Sequence, residues 1–271
     1  MEYVELEPGP ALRGRARFWR LTGSSSIGEP QFEPVLPDGC VELIVHLGDP
    51  FAIEREGRRE LQSRALFAGP GTAPVRLAPT GRVDVVGVRL EAGAAAGLVD
   101  APMAELTDRI PELDAVAHDF ARGLGEELAD PGHDERWNDV LERRLGCALA
   151  RSRATRAPAL EHVIARVRAS GGRTSIDALA RETGLSTRQL ERRFRQRVGL
   201  GPKTFARLAR FQRALALVRR SGSSLAAIAA RSGYFDQAHM VRDFRQFAHE
   251  SPSRFRAAEH ELTAHFVDGA P

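Results

Sequence analysis

Between Thr174 and Arg256 the chain states one pattern twice. Ser175-Ile-Asp-Ala-Leu-Ala-Arg answers to Ser224-Leu-Ala-Ala-Ile-Ala-Ala, Gly184 to Gly233, Phe194 to Phe244, Pro202 to Pro252 and Phe205 to Phe255. The offset is 49 residues before the turn and 50 after it, so the second copy carries one extra turn residue. A period near 50 suggests stacked arrays, but those need at least three units to bury a core. Two copies, each reading helix, tight turn, helix, predict a pair of helix-turn-helix units instead.

Local signals agree in each copy. Ile176, Leu179 and Ala180 recur at helical spacing, and Leu190, Phe194 and Val198 mark one face of a second helix. Two helices cross closely only over small side chains, so Ala180 permits the contact and Gly184 the positive backbone angle of the turn. Ser186 with Gln189 three residues on predicts a capping box that starts the second helix. Ala229, Gly233, Met240 and Phe244 repeat these roles, with Asp236 as the N-cap.

The outward faces carry the functional prediction. Thr187, Arg188, Glu191, Arg192 and Arg195 lie opposite the Leu190/Phe194 stripe, and Gln237, Ala238, His239, Arg242 and Arg245 lie opposite Met240/Phe244. Arg to guanine and Gln to adenine are common direct readouts, offered by a recognition helix in the major groove. A single Arg-rich helix would read equally well as a solvated face; two copies at matched positions favour double-stranded DNA. From Pro158 to His260 there are 20 Lys plus Arg against 8 Asp plus Glu, a net of +12, which leaves −9 for the rest of a chain that totals +3. Basic charge concentrated on one domain fits a phosphate-binding surface. Arg195, Arg197, Lys203 and Arg245 are expected on phosphates, while Arg188, Arg192, Gln237 and Arg242 read bases. Between the units, Pro202 to Arg220 predicts one helix with Pro202 at its first position and Ser221-Gly222 as its stop. A rod of that length, about 28 Å, would hold two reading helices near the ~34 Å repeat of successive major grooves.

The segment Gly233-Tyr-Phe-Asp-Gln-Ala-His-Met-Val-Arg-Asp-Phe-Arg-Gln-Phe-Ala-His-Glu-Ser-Pro-Ser-Arg-Phe-Arg256 closely resembles the C-terminal signature of the AraC/XylS family of transcription regulators, and the resemblance extends over Pro158 to Arg256. It implies seven helices carrying two helix-turn-helix motifs joined by a long helix. It also implies base-reading positions at Arg188, Glu191 and Arg192 in the first motif and at Gln237, Ala238, His239 and Arg242 in the second. Glu191 and Ala238 depart from residues often found there: an acid accepts only from cytosine, and a methyl group only touches thymine.

The front half reads differently. Strands are predicted over Arg15 to Leu21, Cys40 to Leu47, Phe51 to Arg55, Arg58 to Gln62, Ala65 to Phe67, Val75 to Ala78 and Val83 to Leu90, separated by turn signals such as Pro37-Asp-Gly and Pro79-Thr-Gly. Helices are predicted over Ala92 to Leu98, Met103 to Thr107, Leu113 to Ala129 and Glu135 to Ala150. The fold class is thus α+β in two domains: a small β-sandwich or barrel over 1–100 with a helical extension over 101–150, a linker over 151–157, an all-α DNA-binding domain over 158–260 and a tail over 261–271. Pro37-Asp-Gly-Cys-Val-Glu-Leu-Ile-Val-His-Leu and Gly87-Val-Arg-Leu-Glu-Ala-Gly-Ala-Ala-Ala resemble the variable N-terminal domain of one subgroup of these regulators. That likeness implies a cupin-like module that senses a small-molecule effector or forms a dimer, and it leaves RNA polymerase as a further partner and monomer or homodimer open.

Chemistry is not expected of the front domain. A cupin metal site needs a His-x-His pair with a later Glu and His, whereas His46 stands alone in its strand with Glu42 on the same face. Cys40 suggests the alternative of an alkyl-accepting or ligand-binding protein tethered to DNA, but a reactive cysteine needs a lowered pKa, and Cys40 adjoins Asp38 and Glu42. Trp19, Glu42, His46 and Arg89 are the ligand candidates, at the mouth of the β-domain. No catalytic residue, metal or cofactor is assigned. No run approaches 18 apolar residues, the N-terminus lacks a basic and apolar leader, and Cys40 and Cys147 share no metal spacing, so a cytoplasmic protein without a membrane span is expected.

Overall fold

The computed structural model of the chain describes residues 1–25, 31–55, 57–130, 136–151 and 157–258. Its front part is built of β1 (Glu2–Leu6), β2 (Ala16–Ser24), β3 (Glu33–Val35), β4 (Val41–His46), β5 (Ala52–Arg55), β6 (Arg58–Leu61), β7 (Ala65–Ala68), β8 (Val75–Ala78) and β9 (Arg82–Leu90). All pairings are antiparallel, in a five-stranded sheet of order β1-β2-β9-β4-β7 and a four-stranded sheet of order β3-β8-β5-β6. Trp19, Leu21, Phe51, Val83 and Val85 fill the space between the sheets. The opposite face of the larger sheet, with Phe18, Leu43, Phe67 and Val88, is covered by helices instead. The larger sheet is therefore covered on both sides, which is why β9 is buried continuously from Val83 to Leu90 rather than in alternation.

Those covering helices are α1 (Leu113–Val116), α2 (His118–Ala121), α3 (Leu124–Ala129) and α4 (Trp137–Arg151). Where one helix was expected over Leu113 to Ala129 there are three. Ala117 leaves the helical region at φ −139°, and Gly123 sits at φ +69°, so the backbone turns twice while Leu113, Phe120, Leu124 and Leu128 keep facing the sheet. The helices expected over Ala92 to Leu98 and Met103 to Thr107 are short 3-10 turns, Ala95–Gly97 and Met103–Leu106. Most of the predicted linker, residues 152–156, and the predicted tail lie outside the described residues, as do residues 131–135, which include the first residue of the helix predicted over Glu135 to Ala150.

The remainder is helical: α5 (Pro158–Ser170), α6 (Ile176–Glu182), α7 (Thr187–Val198), α8 (Pro202–Arg220), α9 (Leu225–Ser232), α10 (Gln237–Phe247) and α11 (Pro252–Ala257). These seven match the number that the resemblance implies. The duplication is visible in the core, where Phe194 meets Phe205 at 5.5 Å between ring centres and their counterparts Phe244 and Phe255 meet at 6.4 Å. Phe211 of α8 packs on Phe244 and Phe247 at 5.0 and 5.3 Å, tying the central rod to the second unit. All six rings are fully buried, each worth about 1.5–3 kcal/mol of transfer free energy.

The two parts are docked. Leu36 and Ala92 of the front part belong to the apolar cluster of the helical part. Gln212 Nε2 donates to the Pro37 carbonyl at 2.6 Å, Thr107 Oγ1 to the Gly199 carbonyl at 2.9 Å, and Arg168 pairs with Glu91.

Candidate nucleic-acid interface

The second helix of each unit, α7 and α10, is started by its own side-chain cap. In the first unit, Ser186 Oγ accepts from the Gln189 amide at 3.2 Å while Gln189 Oε1 accepts from the Ser186 amide at 3.0 Å, the reciprocal pair of a capping box. In the second, Asp236 Oδ1 accepts from the His239 amide at 2.6 Å. The preceding helices close on Gly184 at φ +66° and Gly233 at φ +83°, a left-handed conformation that glycine adopts without strain. Caps and turns fix the azimuth of α7 and α10. Leu190, Phe194 and Val198 point inward in one, Met240, Phe244 and Phe247 in the other.

The opposite faces are open. Thr187, Arg188, Arg192 and Arg195 are exposed on α7, and Gln237, Ala238, Arg242 and Arg245 on α10. Among the described residues Arg188, Arg192, Arg242 and Arg245 have no ion-pair partner, so their guanidinium groups face solvent with full donor capacity. Others are held. Glu191, half-buried, pairs with Arg195 at 2.9 Å, and Thr187 Oγ1 donates to Asp177 of α6 at 3.0 Å. His239, also half-buried, stands edge-on to Tyr234 at 5.1 Å. Lys203 is exposed in the first turn of α8, two residues after Gly201, whose α-carbon lies beside the Glu191 carboxylate. The cation therefore flanks the exposed face of α7, at the positive end of a helix dipole.

One expected phosphate-contacting residue lies apart from the others. Arg197 does not join Arg195: two residues at 100° each carry its side chain to the other flank of α7, where it lies against Gly93 of the front part beside Ile164. Its neighbours there are protein groups, on a different flank of the helix from Arg188 and Arg192.

A group missed in sequence lies beneath the second face. Asp243 of α10 is 1% exposed and accepts from Arg207 of α8 at 2.6 Å; Arg207 also donates to Gln246 at 2.6 Å and stacks over Phe247. The signal was present, since an acid between Met240 and Phe247 interrupts an otherwise apolar stripe, but its base is 36 residues away.

The ligand candidates of the front part separate into two sites. Glu42 and Arg89 are direct partners across β4 and β9, their side chains paired at 2.7 Å, and Trp19 Nε1 donates to Glu42 at 2.8 Å while its ring lies over Gly87. These three satisfy one another. Arg89 reaches a cleft of about 490 Å³ between the two parts, which Arg17, Arg168, Phe205, Arg213 and Leu217 also line. Cys40 lines it too, with Arg168 at 3.5 Å, but desolvation by burial and the Asp38 carboxylate push its thiol up to about 12, the reverse of what a reactive thiolate requires. Among the described residues no three His, Cys, Asp or Glu side chains are grouped to hold a metal ion, and no helix is long and apolar enough to cross a membrane.

His46 is apart from these, buried between the sheets against Phe51 with Gln62 at 3.1 Å. Burial lowers its pKa to about 4. An unfolded histidine takes its proton near 6.5, so as pH falls below that value the unfolded chain is protonated first and the fold loses stability until about pH 4. Urea unfolding of the wild type is expected to show a loss of about 3 kcal/mol over this window that the His46→Gln variant lacks. Parallel pH profiles for the two proteins would refute the assignment.

Comparison with known proteins follows the same division. A family described as a helix-turn-helix domain matches residues 179–258, and one described as a domain of unknown function (DUF6597) matches residues 5–112. The HTH-type transcriptional regulator MtrA of Neisseria gonorrhoeae is 30% identical over 82 residues, 30% of this chain and 27% of that protein. The HTH-type transcriptional activator RhaS of Escherichia coli is 36% identical over 80 residues, 30% of this chain and 29% of that protein. The chain thus spans less than a third of the length of these curated relatives. The structure of ToxT from Vibrio cholerae superposes with a TM-score of 0.51 and 10% identity over 89% of this chain and 98% of its own, a likeness of fold that includes both parts.

Proposed function

We propose that this chain, whose C-terminal part is a helix-turn-helix domain of the AraC/XylS regulators, is a sequence-specific transcription regulator that reads two major-groove segments of double-stranded DNA. The single observation that carries the reading is the matched pair of open faces, Arg188/Arg192 on α7 and Gln237/Arg242 on α10, each aimed by its own cap. Thr187, Glu191, Ala238 and His239 border the same faces, and Arg195, Lys203 and Arg245 supply phosphate contacts. Selection of bound sequences from a random DNA pool tests it: a two-part motif is expected, and a protein that enriches nothing is a tether, not a reader. Lys203→Ala is expected to weaken binding to all sequences alike and to lower the slope of log K against log salt by about one, since one phosphate contact is lost.

The front part modulates this binding, through a small-molecule effector or through dimerisation. The cleft beside Arg89 supports the effector reading, because it is lined by several guanidinium groups beside Phe205 and Leu217, a mixture that suits an anion with an apolar body. A panel of carboxylate metabolites is expected to contain one that raises the melting temperature; no shift across the panel leaves dimerisation, measured by sedimentation. Two reading helices in one chain let a monomer read a full site, and RNA polymerase is the downstream partner of either arrangement. The raised thiol pKa of Cys40 weighs against an alkyl-accepting role. A cytoplasmic location accords with a DNA-binding role.

A further inference from the structure

The two turns differ by one residue, and the structure identifies it. In the first unit the Leu185 amide donates to the Ala180 carbonyl at 3.0 Å, and in the second the Tyr234 amide donates to the Ala229 carbonyl at 3.0 Å, so the copies correspond through Tyr234. They correspond again from the N-caps, Ser186 and Asp236. The residue between, Phe235, has no counterpart. It is also 93% exposed, far more than any other large apolar side chain among the described residues. Tyr234 turns into the core and Asp236 caps the helix, so neither neighbour shields the ring.

A phenyl group with this exposure adds nothing to the fold, and its place at the leading edge of a reading helix decides what covers it. Phe235, the capping Asp236, Gln237 and Ala238 are consecutive exposed residues, and Arg242 and Arg245 follow on the same helix. Cationic surroundings disfavour an apolar protein partner and favour nucleic acid. Phosphate oxygens offer an aromatic ring no partner, whereas the major groove contains one apolar group, the C5 methyl of thymine, which phenylalanine contacts in direct readout.

We infer that Phe235 is a specificity-determining residue that covers a thymine methyl at the outer edge of the second half-site. The inference rests on the DNA-reading role proposed above. It extends the second unit's reading by one base beyond Gln237 and Ala238, and the first unit has no equivalent.

The test uses the full chain and the sequence it selects from a random pool, with each thymine of that sequence replaced in turn by uracil, which lacks only the methyl group. For the wild type, one uracil substitution in the second half-site is expected to weaken binding about 5-fold. Phe235→Ala is expected to bind the selected sequence about 5- to 10-fold more weakly, to be indifferent to that same uracil and to bind random DNA as the wild type does. The ring is exposed, so folding of the variant is not at issue, and its melting temperature should be unchanged. If no motif is selected, the DNA-reading role fails first. If a motif is selected and Phe235→Ala binds it as tightly as the wild type, or loses affinity equally on every sequence, the inference alone is overturned.

Discussion

Replacing Arg192 and Arg242 together by alanine is expected to weaken binding to the selected DNA by roughly 10²- to 10⁴-fold, at about 1–3 kcal/mol for each guanidinium contact with a base. The two residues lie on different recognition helices, and among the described residues neither has an ion-pair partner, so removing one leaves no group of the protein stranded. Their losses should therefore add. Both side chains are exposed, and the variants should melt as the wild type does. The discriminating measurement is the ratio between selected and random DNA. Each single variant should relax one half of the motif and leave the other intact, and the double variant should approach the nonspecific affinity while keeping most of its salt dependence, which Arg195, Lys203 and Arg245 supply. A double variant that loses equal affinity on both kinds of DNA would make these side chains phosphate contacts and remove the basis for two-part reading.

This half of the chain was legible because its determinants are local. The N-caps Ser186 and Asp236, the positive backbone angles of Gly184 and Gly233, and the span of α8 from Pro202 to Arg220 all depend on residues within a few positions of one another, and the structure has each where the sequence puts it. Apart from β3, the strands between Ala16 and Leu90 were legible to within a few residues for the same reason. β1 was not, since Glu2 to Leu6 forms an edge strand with Val4 and Leu6 still exposed, a pattern without an inward apolar row. β3 was not, at three residues with a central proline. Leu113 to Ala129 misled because its apolar spacing fits one helix while Ala117 and Gly123 break the backbone without breaking the stripe. What no local pattern encodes is docking. Arg168 with Glu91, Gln212 with Pro37 and the placement of Arg197 against Gly93 join residues far apart in the chain.

Arg207→Ala is expected to cost about 3–5 kcal/mol of folding stability, because it leaves the Asp243 carboxylate buried without its cation. Asp243 is 1% exposed, and both hydrogen bonds to its Oδ1 come from Arg207, at 2.6 and 3.1 Å. The same guanidinium holds Gln246 and covers Phe247, so three residues of α10 are pinned to the central rod by one side chain. The cost reflects a stranded charge more than a lost attraction, and that distinction is testable. Replacing both partners by apolar residues of similar size, Arg207→Met with Asp243→Leu, should recover most of the loss in denaturant unfolding, since a well-packed apolar pair often matches a buried ion pair in stability. What the double variant should not recover is function. The pair joins α8 to α10 by directed hydrogen bonds, so an apolar replacement that restores stability still frees the second reading helix to shift against the rod, and affinity for the second half-site should fall while the first is read as before. A loss below about 1 kcal/mol for Arg207→Ala, the size of an exposed pair, would mean that solvent reaches Asp243 and that apolar packing, including Phe211 on Phe244 and Phe247, holds the rod and the second helix together.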